Sequence, residues 1–61
     1  MIDQELKANK LHDAYIELNE AAKDLTLFLQ DETIKPILDD VIKLRNSIKR
    51  EYDKTVKELD K

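Results

Sequence analysis

The chain contains no cysteine, no tryptophan and no glycine, and Pro36 is its single proline. Without cysteine there is no disulfide framework and no thiolate metal site. Without glycine there is no phosphate-cradling loop, and the backbone has few places to turn sharply. Aromatic side chains are limited to Tyr15, Phe28 and Tyr52, and the lone histidine, His12, does not build a zinc site by itself. No apolar run approaches the roughly 20 residues of a membrane span. Met1 leads directly into polar, acidic sequence with no signal-peptide pattern. The expectation is an intracellular, cytoplasmic protein that takes no cofactor and binds no membrane.

What is present is charge and helical periodicity. Of 61 residues, 41% are charged and 41% hydrophobic, with a net charge of −3. This length allows one small domain, residues 1–61. Such a chain buries only about 60% of the surface it exposes when unfolded. Small scaffolds lacking disulfides and metals complete their cores by oligomerising or by docking on a partner. The charged fraction would suit a disordered chain, but the apolar residues recur at helical spacing, which argues for folding. Lysine outnumbers arginine nine to two, a composition expected of an AT-rich bacterial or phage genome.

One break is evident, at Gln30-Asp31-Glu32-Thr33, just ahead of Pro36. Thr33 is the expected N-cap of a second helix, with Pro36 in the first turn, where a missing N–H costs nothing. Asp31 and Glu32 place negative charge at the positive end of that helix. Asp3 is the expected cap of the first. The pattern predicts helix 1 over about residues 3–30 and helix 2 over about 34–60. Matched lengths and a short connection favour an antiparallel hairpin. The alternative, a compact three-helix bundle, needs a break near Asn9 to Asp13.

In helix 1, Leu11, Leu18 and Leu25 recur every seven residues. Ala14, Ala21 and Phe28 run beside them, as do Ala8, Tyr15, Ala22 and Leu29. A heptad repeat is the mark of coiled-coil-like packing at a shallow crossing angle, and the alanines admit a close neighbour. Helix 2 carries a wider stripe: Ile34, Ile37, Leu38, Val41, Ile42, Leu44, Ile48, Tyr52, Val56 and Leu59, with Thr55 within it. One partner helix does not cover so wide a stripe. A homodimer of hairpins forming a four-helix bundle would cover it, and so would docking on a different protein.

The polar faces carry opposite signs. Asp13, Glu17, Glu20, Asp24 and Asp31 form an acidic stripe on helix 1, and Lys43, Arg50, Lys54, Lys57 and Lys61 a basic one on helix 2. Residues 1–31 hold three basic and seven acidic side chains, net −4, and residues 32–61 hold eight and seven, net +1. The plain reading is two solvated faces. The functional reading of the basic stripe is phosphate binding through Lys43, Arg50, Lys54 and Lys57. In length and hairpin plan alone the chain resembles the Rop family of plasmid copy-control proteins, dimeric four-helix bundles, and that resemblance implies RNA binding. Against nucleic acid stand the negative net charge, the neighbouring Asp39 and Asp53, and the lack of an aromatic among the lysines for base stacking.

Ile2, Leu6, Ile16 and Leu27 fall away from the helix 1 seam. Scattered exposed apolar residues are ordinary. The functional alternative is a partner-binding patch of Ile16, Glu20, Asp24 and Leu27. Arg45 interrupts the helix 2 stripe opposite Ala21 and Ala22. Its stem is expected to pack on the seam while its head reaches the edge, and pairing with Glu17 or Glu20 would set register.

Nothing points to catalysis. His12 and Asp13 are adjacent, so they diverge by about 100° on a helix. Ser47 is the only serine and has no base beside it. Glu17 and Glu20 are expected to be solvated rather than metal-bound, and a hairpin is expected to offer no concave pocket. The reading is a small regulatory module, not an enzyme, that binds another protein through a helical face. The alternatives are a nucleic-acid-binding hairpin and a structural subunit of a larger assembly.

Overall fold

The computed structural model describes residues 3–60; Ile2 and Lys61 lie outside them. Two helices, α1 (Gln4–Thr26) and α2 (Ile34–Leu59), pack against each other as a hairpin. The pairing is antiparallel. Lys7 near the start of α1 meets Glu51, and Asn19 further along it meets Arg45, so numbers rise along one helix as they fall along the other.

Helix α1 starts where a side chain takes over its orphan donors. Asp3 Oδ1 accepts from the N–H groups of Glu5 and Leu6 at 3.0 and 3.2 Å. The helix runs unbroken through Asn9 to Asp13, so the third helix does not form. It stops at Thr26, short of the expected residue 30. The Thr26 hydroxyl donates back to the Ala22 carbonyl at 2.7 Å. The next amides, of Leu27 and Phe28, reach back only three residues, to Asp24 and Leu25. That tightening ends regular α geometry, and residues 27–30 form turns.

The cap of α2 is a correction. Thr33 already has helical dihedrals and makes no side-chain cap. Asp31 does the capping. Its Oδ1 accepts from the Thr33 N–H at 2.9 Å and from the Thr33 hydroxyl at 2.6 Å. Its carbonyl accepts from the amides of Ile34 and Lys35. The Thr33 hydroxyl, then the Thr33 amide, hold the Asp31 carboxyl below its ordinary pKa; desolvation opposes this and the Ile34 amide adds least. Asp31→Ala should therefore lower stability, as loss of an N-cap does. Thr33→Ala should cost less. Thermal melting of both variants, with amide exchange at Ile34 and Lys35, checks the order.

The interface between the helices is thin. Ala8 and Ala22 of α1 and Leu38 of α2 are the buried apolar residues among those described. Ala8 and Ala22 lie two heptads apart, on the same stripe as the half-buried Tyr15, and their small side chains let α2 approach. Thr55 is 1% exposed, and its hydroxyl donates to the Glu51 carbonyl at 2.8 Å, which satisfies the buried oxygen. Leu11, Leu18, Leu25, Val41 and Ile48 are only half-buried. Phe28 and Leu29, expected in the seam, are more than half exposed, because α1 ends before it reaches them. The molecule measures 45 × 18 × 14 Å with a radius of gyration of 14.1 Å. A compact domain of this length would have roughly 10–11 Å. No helix among the described residues is long and apolar enough to cross a membrane.

Candidate functional site

The seam has two flanks of different chemistry. On one, His12, Tyr15 and Ile16 of α1 and Lys49 and Tyr52 of α2 line a cleft of about 180 Å³. The His12 and Tyr52 rings pack with centroids 5.8 Å apart and planes tilted by 47°. The cleft corrects the expectation that a hairpin has no concavity. It falls below the roughly 300–1,000 Å³ of small-molecule sites, so its scale suits one inserted side chain.

Arg45 directs its head to this same flank. Nη1 donates to Asn19 Oδ1 at 3.1 Å and Nη2 to Asn46 Oδ1 at 3.3 Å. The expected pairing with Glu17 or Glu20 is not made. Asn19 sits beside the seam in the heptad pattern, whereas Glu17 and Glu20 sit further round and are exposed. The Arg45 Nε atom is buried without a hydrogen-bond partner.

The other flank carries the ion pair that crosses the seam, Lys7 Nζ to Glu51 Oε2 at 3.1 Å. The hydrogen bond from Lys7, with its charge, holds the Glu51 carboxyl below its ordinary pKa; desolvation opposes this and Lys54 adds slightly. A carboxylate depressed on folding stabilises the fold above its unfolded pKa, and that contribution fades as pH falls through the folded value. We expect the Glu51 carboxyl to titrate below the ordinary glutamate midpoint by NMR. In Lys7→Met the midpoint should return toward the ordinary range. Further along this flank the chain turns apolar, with Ala14 and Ala21 half-buried and Ile37 and Leu44 about half exposed.

The four residues expected to form a partner-binding patch, Ile16, Glu20, Asp24 and Leu27, are all exposed, at steps of four, four and three residues along α1 and its C-cap. Ile16 lines the cleft beside Lys49 and Tyr52. Leu27 is 81% exposed at the far end of α1, about 16 Å along the axis at 1.5 Å per residue. Glu20 and Asp24 are exposed on the outer surface. Lys43, Arg50, Lys54 and Lys57 are exposed on α2, but acids lie among them. Lys49 sits 3.8 Å from Asp53, and Arg50 is tied to the Ser47 hydroxyl at 3.1 Å.

Sequence reasoning missed Lys7, Glu51 and Lys49. The signal was present. Lys7 precedes Ala8 and Glu51 precedes Tyr52, so both flank seam positions where antiparallel helices exchange charges. Compared with protein-family models, with curated proteins and with solved structures, the chain matches none.

Proposed function

We propose that the chain is a protein-interaction module that works as a dimer of hairpins, a four-helix bundle presenting a helical face to another protein. The observation that carries this reading is excess surface. A compact monomer of 7.2 kDa would expose roughly 4,100 Å², whereas this hairpin exposes 5,031 Å². The difference, about 900 Å², is close to one partner's share of a standard interface, about 800 Å². Eight large hydrophobic side chains among the described residues are at least 45% exposed. The reading assigns the chain no catalytic step.

Sedimentation equilibrium at micromolar concentration tests it, with a dimer of about twice the chain mass expected. A cooperatively folded monomer would overturn it. The acids beside the basic face of α2 argue against a nucleic-acid role. Fluorescence anisotropy with RNA and DNA duplexes near 150 mM salt, where exposed charges are screened beyond about 8 Å, should show no submicromolar binding. Submicromolar binding that disappears when Lys43, Arg50, Lys54 and Lys57 become glutamine would put nucleic acid in place of the protein partner.

A further inference from the structure

We infer that the second copy of the chain docks on the flank that carries Ala14, Ala21, Ile37 and Leu44, leaving the cleft at His12 and Ile16 open for the other protein. The inference rests on the dimer reading and specifies its surface.

The two flanks of the seam differ in what burial would cost. Take Ala8, Tyr15 and Ala22 as one heptad position of α1, and Leu38, Arg45 and Tyr52 as its counterpart in α2. The residue preceding each then lies on one flank: Lys7, Ala14 and Ala21 from α1, and Ile37, Leu44 and Glu51 from α2. The ion pair between Lys7 and Glu51 places these two rows on the same side. The residue four after each, in Ala8's set and in Leu38's, lies on the opposite flank: His12, Asn19 and Thr26 from α1, and Ile42, Lys49 and Val56 from α2. The cleft, with His12 and Lys49 among its walls, confirms that grouping.

From Ala14 to the loop, the first flank holds no charge at these positions. Ile37 and Leu44 stand about half exposed, and Phe28 beside the loop does likewise. Covering such side chains is favourable by roughly 25 cal/mol for each Å² of apolar surface removed from water. The small side chains of Ala14 and Ala21 would admit a neighbouring helix at the close spacing of a bundle. Of the charges that border this flank, Lys7 and Glu51 already neutralise each other across the seam, and Lys54 lies near enough to Glu51 to act on it.

The opposite flank would have to desolvate the Lys49 ammonium, the Arg45 guanidinium and its two asparagine partners. Burying charges is costly unless they are paired in good geometry. The size of the surface also fits a second copy. The long side of the hairpin, 45 × 18 Å, amounts to about 800 Å², the share each partner contributes to a standard interface.

Sedimentation equilibrium on Leu44→Glu and Ile16→Asp beside the wild type tests the assignment. The wild type and Ile16→Asp should remain dimers, and Leu44→Glu should raise the dimer dissociation constant at least a hundredfold. A wild-type monomer would overturn the dimer reading itself. A wild-type dimer that Leu44→Glu leaves intact, or that Ile16→Asp breaks, would overturn only the choice of flank. Since Leu44→Glu can also unfold a hairpin that depends on its partner, a second measurement is independent of that variant. In this cysteine-free chain, the thiol of Leu44→Cys should react with maleimide more slowly as protein concentration rises through the dimerisation range. The thiol of Ile16→Cys should react at a constant rate. Equal concentration dependence at both sites would overturn the assignment.

Discussion

Leu38→Ala should remove a large share of the protein's stability. Leu38 is 4% exposed and is the largest buried apolar side chain among the described residues. Truncating a buried leucine to alanine costs about 2–5 kcal/mol, through lost transfer energy and the cavity left behind. A 61-residue chain holds about 3–9 kcal/mol in total at 0.05–0.15 kcal/mol per residue. Ala8 and Ala22 are the other buried apolar residues among those described. Circular dichroism in a urea titration measures the loss as a lower midpoint. Leu27→Ala is the matched control, because an 81% exposed leucine should change stability by less than about 0.5 kcal/mol. If the two variants had equal midpoints, Leu38 would not be the centre of the core.

How much of this was legible beforehand depends on the kind of physics involved. The two helices, the break before Pro36 and the Asp3 cap follow from periodicity and local chemistry, and a sequence displays both. The end of α1 was less legible. It depends on the Thr26 hydroxyl choosing the Ala22 carbonyl, while Leu27, Phe28 and Leu29 continue a pattern that looks helical. The Asp31 cap was misplaced by two residues, because Thr33 and Asp31 are both good caps and only geometry shows that the Asp31 carboxylate accepts from Thr33 while Thr33 caps nothing itself. The cleft beside Ile16 was illegible for a different reason. A face inferred from one helix does not say where the second helix lies, and α2 brings Lys49 and Tyr52 beside Ile16. The two flanks became distinguishable only once Lys7 and Glu51 fixed which side each row occupies.

Arg45→Leu should leave the hairpin intact and raise its melting temperature. Arg45 occupies a seam position of α2, in heptad register with Leu38 and Tyr52, where a hydrophobe would continue the stripe. Its guanidinium is held by two neutral amide oxygens, at 3.1 and 3.3 Å, and no carboxylate pairs with it among the described residues. Its Nε atom is buried with no partner, and a buried unsatisfied donor costs about 1–3 kcal/mol. The terminal nitrogens remain near solvent, so the gain on removing them falls short of the 1–4 kcal/mol seen when buried charge networks become apolar. We expect about 1 kcal/mol, which for a domain of this size is roughly 4–8 °C. Arg45→Ala should gain nothing, because it removes the packed stem along with the head. A polar residue in a seam can also fix register at the expense of stability. The leucine variant should therefore be followed by light scattering as well as thermal melting, with a rise in oligomer size showing that Arg45 had restricted the pairing. A marked drop in melting temperature for Arg45→Leu would mean instead that the bond to Asn19, the hydrogen bond that ties this level of α2 to α1, holds the hairpin together.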